Sequence, residues 1–136
     1  MINSIKDFMA TCPFLTETDI NINYLGEDAV SSSVNSVSAD PVIKTYTDGG
    51  SLRQFIFEIS IRQSYGENEE ANIAAAELLE NISDWIEQKN NVGILPSLSN
   101  NKHPISLEIF RTGRVKHKTA DTAKYQLKCK LIYYQE

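Results

Sequence analysis

Apolar residues recur along this chain in two rhythms, one at helical spacing and one alternating, and the changes of rhythm divide it into elements. Ile2, Ile5, Phe8, Met9 and Cys12 follow the helical period, with Ser4 and Asp7 offering a capping box and Pro13 ending the helix. Ile20, Ile22 and Tyr24 then alternate with Asn21 and Asn23 as a first strand, and Gly26, Glu27 and Asp28 make a polar turn. A second strand is expected across residues 29–38. It is rich in serine (Ser31, Ser32, Ser33, Ser36, Ser38), which predicts a sheet edge or a mobile arm. Asp40 and Pro41 interrupt it, residues 42–46 can extend the sheet, and Thr47, Asp48, Gly49, Gly50 and Ser51 form a loop expected to order only on assembly, if at all.

The clearest strand covers residues 52–62. Phe55, Phe57, Ile59 and Ile61 share one face, while Gln54, Ile56, Glu58, Ser60 and Arg62 share the other. Asn68 can cap the long helix that follows, with Glu69 and Glu70 in its first turn, where carboxylates complement the helix dipole. Ile73, Ala74, Leu78, Ile82, Trp85, Ile86 and Lys89 keep the helical phase, and Asn91 with Gly93 closes it. Ile105, Leu107 and Ile109 predict a further strand and Gly113 a turn. Tyr125, Leu127, Cys129, Leu131 and Tyr133 alternate with Lys124, Gln126, Lys128 and Lys130 in a last strand, basic on one face. Strands clustered on either side of one long helix predict an α+β fold. The expectation is a mainly antiparallel sheet of four to five strands with two helices packed on one face, in a single domain spanning residues 1–136.

Composition agrees with one domain. The 136 residues are 41% hydrophobic and 23% charged, with a net charge of −5 that argues against bulk nucleic-acid affinity. Residues 1–12 lack a secretory pattern, and no apolar run approaches a membrane span. The charge is sorted by segment. Residues 66–91 hold Glu67, Glu69, Glu70, Glu77, Glu80, Asp84 and Glu87 against Lys89 alone. Residues 102–130 hold Lys102, Arg111, Arg114, Lys116, Lys118, Lys124, Lys128 and Lys130 against Glu108 and Asp121. Complementary patches of this kind steer docking between copies or ordered partners; the plainer account is that they are the solvated faces of a helix and a sheet.

Chemistry is sparse. His103 beside Pro104 and His117 in a basic run lie far in sequence from Cys12 and Cys129, so no zinc cluster is spaced for binding, and both thiols fall at apolar-phase positions that predict burial. There is no Gly-x-Ser-x-Gly, no Walker loop and no dinucleotide fingerprint. The expectation is therefore a protein without catalytic activity, cofactor or metal. Residues 111–118 are the best candidate functional surface, because their cations can meet phosphates without reading sequence; a charged, solvent-exposed hairpin is the simpler account. Asp48, Gly49, Arg53, Arg111, Arg114, Lys116 and Lys118 form the candidate assembly or lumen surface, and Glu69, Glu70, Glu77, Glu80 and Asp84 the complementary acidic face. Tyr133 and Tyr134 serve either as strand packing or as aromatic interface anchors.

Scattered pieces carry a family resemblance: Cys12-Pro13-Phe14-Leu15, Tyr24-Leu25-Gly26-Glu27-Asp28, Lys44 with Tyr46 and Asp48-Gly49, Arg53-Gln54-Phe55, Tyr65-Gly66, Trp85, Leu95-Pro96, and Asp121-Thr122-Ala123-Lys124-Tyr125-Gln126. In order and spacing they resemble small phage proteins labelled minor capsid proteins and related to tail terminators, from long-tailed phages and prophages of Gram-positive bacteria. The resemblance implies a virion protein of the head–tail joint: a ring homo-oligomer, typically a hexamer, that caps the tail tube, docks to the head connector and lets DNA pass without reading it. It brings no catalytic motif. Two other functions compete with it, an adaptor that binds a host protein by strand addition at the serine-rich edge, and a small metabolite-modifying enzyme.

Overall fold

The computed structural model describes residues 1–15, 20–22, 31–37, 41–64, 69–99, 101–111, 115–118 and 122–136. Its elements are α1 (Ile2–Met9), β1 (Ile20–Ile22), β2 (Ser31–Ser36), β3 (Val42–Thr45), β4 (Ser51–Ser64), α2 (Glu69–Asn91), β5 (Lys102–Arg111), β6 (Val115–Lys118) and β7 (Thr122–Gln135). The two longest alternating segments become the sheet's centre. β4 and β7 pair antiparallel from Ser51 opposite Gln135 to Ser64 opposite Thr122. β2 flanks β4 and β5 flanks β7, so five strands run in the order β1-β2-β4-β7-β5, while β3 pairs with β4 and β6 with β7. Of these pairings only β1 with β2 is parallel. The fold is α+β, as the element order predicts.

Register builds the core. Phe57 stands opposite Cys129, Ile59 opposite Leu127 and Ile61 opposite Tyr125, and all six are buried. Ile5, Phe8 and Met9 of α1 and Leu79, Ile82, Trp85 and Ile86 of α2 join the same cluster, with the Phe8 and Trp85 rings tilted at 42° and 5.2 Å apart. A slip of one residue would turn every one of these strand side chains to the opposite face, so burial fixes the pairing. Each large aliphatic side chain buried here contributes about 1.5–3 kcal/mol, against about 0–1 kcal/mol for a solvent-exposed ion pair. The core, not the charge, decides stability.

α2 ends as its sequence predicts. Gly93 takes φ +78°, its N–H donates to Asn90 O at 3.2 Å, and the Ile94 N–H reaches back to Lys89 O at 2.9 Å, the paired bonds of a Schellman cap. Elsewhere local signals were overridden. α1 is capped at Met1 without a side-chain bond, so Ser4 and Asp7 lie inside the helix; it ends at Met9, and Cys12 sits in the following turn, donating its N–H to Met9 O at 3.0 Å. Pro13 disfavours helical backbone at the residue before it, which accounts for the early exit. The serine-rich β2 is no edge: it lies between β1 and β4, with Ser32 and Ser33 buried. Ile105 falls in a bulge between Pro104 and Ser106 and is 52% exposed, so the run Ile105, Leu107, Ile109 contributes only its last two members to the core side. The expected Asn68 cap and the turns at residues 26–28 and Gly113 lie outside the described residues.

Candidate assembly surfaces

The stretch 47–51, read from sequence as a loose loop, is a tight hairpin turn. The Tyr46 N–H donates to Gly50 O at 2.8 Å, the Gly49 N–H to Tyr46 O at 3.2 Å, and the Gly50 N–H to Asp48 Oδ1 at 3.0 Å. Gly49 sits at φ +94°, where a side chain is strained. Asp48 and Gly49 therefore cap an arm made by β3 and the start of β4. Arg53 lies one turn of the ladder inward, opposite Val42 and Tyr133, its Nε donating to Ser51 Oγ at 2.9 Å.

Three strands meet beside this arm. Tyr46 and Tyr134 lie 6.0 Å apart between ring centroids; His103 stacks on Tyr134 at 6.3 Å, and its Nε2 is 2.9 Å from Glu136 Oε1. Lys44 Nζ stands 5.2 Å from the Tyr46 ring centroid. Burial first, then the negative charges of Asp48 and Glu136 and the neighbouring Tyr46, push the Tyr134 phenol above its ordinary value. His103 is thus a strand residue in an aromatic row. No local signal could reveal it, because its partners lie 31 and 33 positions further along the chain.

The sheet face turned away from the helices carries the alternate residues of β4 and β7. Lys128 Nζ is 4.0 Å from Glu58 Oε1, and Lys130 Nζ is 3.9 Å from Glu108 Oε2, in both cases between register partners. Gln126 donates to Glu58 Oε2 at 3.1 Å and to Ser60 Oγ at 3.3 Å, and Asn35 donates to Ser60 Oγ at 2.8 Å. The basic phase of β7 is therefore partly balanced within the chain. On the other side of the molecule, Glu77, Glu80, Asp84 and Glu87 are exposed. Their spacing of three, four and three residues makes one stripe, and Ile73, 56% exposed, falls on it. At 100° per residue that stripe points directly away from Leu79, Ile82 and Trp85, so acidic helix and basic strand face opposite directions.

The candidate residues do not form one patch in a single copy. Asp48, Gly49 and Arg53 lie where β4 begins, whereas Arg111 stands opposite Lys128, and β6, which holds Lys116 and Lys118, pairs with residues 123–125 of β7. Between Tyr133 and Tyr125 the strand spans about 27 Å at roughly 3.4 Å per residue. Glu69 and Glu70 open α2, and Arg114 lies outside the described residues.

Between α2 and β5 runs a groove of about 390 Å³, bordered by Ser83, Ile86, Glu87, Asn90, Glu108 and Ile109 among others. Its described lining holds no imidazole and no thiol. Cys12 and Cys129 are both buried and unlinked, and burial raises each thiol above its ordinary value. Among the described residues no group of three His, Cys, Asp or Glu is placed to hold a metal ion, and no helix is long and apolar enough to cross a membrane.

No family model matches the chain, and no curated protein matches it. Among solved structures, it is similar to a chain of the virion of a native gene transfer agent particle, with a TM-score of 0.58, 18% identity, and coverage of 96% of this chain and 91% of that one.

Proposed function

We propose that this chain is a structural protein of a phage or phage-like virion, and within the particle a ring-forming tail terminator of the head–tail joint. The observation that carries the reading is the fold match to a virion chain over nearly the full length of both partners. The surfaces support it: an acidic stripe on α2 and a strand face whose lysines are only partly balanced within the chain are distinct surfaces of opposite sign, and such surfaces let copies meet head to tail. A hexameric ring would cap the tail tube, present a docking surface to the head connector, and leave a lumen through which DNA passes without sequence readout. Such a protein belongs in the virion at the head–tail junction, and in the host cytoplasm during assembly.

Electron microscopy of particles lacking this protein tests the role directly. Overlong or unjoined tails are the expected result, and normal, joined tails would remove the proposal. Light scattering supplies the second arm, with a ring expected in the presence of tail tubes. Salt-insensitive monomers, with tubes as well as without, would count against a ring.

A further inference from the structure

We propose that the β3 arm of one copy seats in the α2–β5 groove of the next, adding a strand to the open edge of β5. The inference rests on the ring reading and names the contact that would build it. Asn90 Oδ1 accepts the Leu107 N–H at 2.9 Å, so the main-chain groups of Leu107 point away from β7. Direction alternates along a strand, and those of Ile109 therefore point the same way. β5 ends the five-strand path, and among the described residues no strand lies on that side. The Leu107 N–H is taken by Asn90, so the Leu107 carbonyl and the main-chain groups of Ile109 remain to meet an extended segment through backbone pairing, beside a groove that Ile86 and Ile109 line together with polar side chains.

The chain also carries a segment suited to fill it. β3 pairs with β4 along one edge, and every residue of Val42–Thr45 is exposed. Val42, Ile43 and Tyr46 are 37%, 47% and 37% exposed, an unusual concentration of large apolar side chains on five consecutive positions. Charge selects the pairing. The groove is bordered by Glu87, a member of the acidic stripe of α2, whereas the arm brings Lys44 and no acidic residue between Val42 and Tyr46. Within one copy the two cannot meet, since β3 lies on the outer side of β4 and the groove on the outer side of β7. Arm and groove are different surfaces, so the contact is heterologous and propagates around a ring.

Cross-linking between singly substituted copies tests the contact. Ile43→Cys and Asn91→Cys replace exposed residues, and the native thiols are buried. With a short bismaleimide, covalent dimers are expected when the two variants are mixed and not from either alone. Native mass spectrometry adds a second measurement, in which Lys44→Glu weakens assembly about tenfold and Lys44→Glu combined with Glu87→Lys restores it. Wild-type rings that survive Lys44→Glu and give no mixed cross-link would overturn the arm–groove contact and leave the ring reading standing. Wild-type chains that remain monomeric, alone and with isolated tail tubes, would overturn both. Capture of the Asn91→Cys groove by a tail or host protein instead of a sister copy would overturn the choice of occupant.

Discussion

Asn90, in the last turns of α2, accepts the Leu107 main-chain N–H of β5 at 2.9 Å and so ties the helix to a strand edge that has no other described partner on that side. Asn90→Ala leaves this donor without its acceptor. The expected cost is about 1 kcal/mol, since a net hydrogen bond is worth that much and alanine recovers part of it through helix propensity. Asn90→Asp keeps an acceptor and should lose less. Urea denaturation of the three proteins, compared at their midpoints, checks the order.

At the hairpin, Gly50 is held to glycine by contact and not by conformation. A Cβ there would run into the Tyr134 hydroxyl and ring edge. Gly50→Ala should therefore destabilise the protein by about 1–3 kcal/mol, the range for overpacking, and Tyr134→Ala should cancel much of that loss in the double variant. Gly49→Ala meets no atom but must hold φ +94°, so its cost of about 1–2 kcal/mol should persist when Tyr134 is truncated. A double-mutant cycle by thermal melting separates the two.

Cys129 gives the fold an alkaline limit. Burial raises its thiol far above the ordinary 9.0, so the folded chain keeps the proton over a range in which the unfolded chain releases it. The unfolded state then binds fewer protons, and stability, fully present below pH 9, falls as pH rises beyond it by up to about 1.4 kcal/mol per unit for this group. Cys129→Ala should flatten that slope even though it lowers stability at neutral pH. A variant as steep as wild type between pH 9 and 10.5 would show that another group dominates.

Reversal of Arg114 and Lys116 to Glu tests the proposed lumen surface. Tail completion or DNA passage should fail while the purified chain keeps its melting temperature, because β6 pairs only at the end of β7, away from the Phe57–Leu127 centre of the core. An unaltered infectious titre would count against it.

The sequence made the fold class legible because the alternation in residues 52–62 and 124–133 is long and regular, and because Gly93 marks the end of α2 in chemistry that needs no tertiary partner. What it hid was set by pairing. Serine has low cost inside a strand when its hydroxyl finds a partner, as Ser33 Oγ does by donating to Asn35 Oδ1 at 3.3 Å, yet composition alone makes Ser31–Ser36 look like an edge. Ile105 keeps perfect alternation in the sequence and still turns outward, since a bulge consumes one residue of register. The surface was less legible again: the cations grouped by sequence are divided between two ends of the sheet, and the aromatic row of Tyr46, Tyr134 and His103 exists only after three distant strands align.

The fourteen-residue match of β4 with β7 also sets an order of events during synthesis. β5 hydrogen-bonds only to β7 in the described sheet, and β4 has that strand as its longest neighbour. Until β7 leaves the ribosome, the nascent chain holds one naked edge on β4 and an orphan segment in β5, joined by a helix whose apolar side has little sheet to lie on. Closure is thus postponed to a single late docking step between residues some seventy positions apart, a contact of high entropic cost that makes folding slow and leaves the waiting chain open to capture by chaperones or by other unfinished chains.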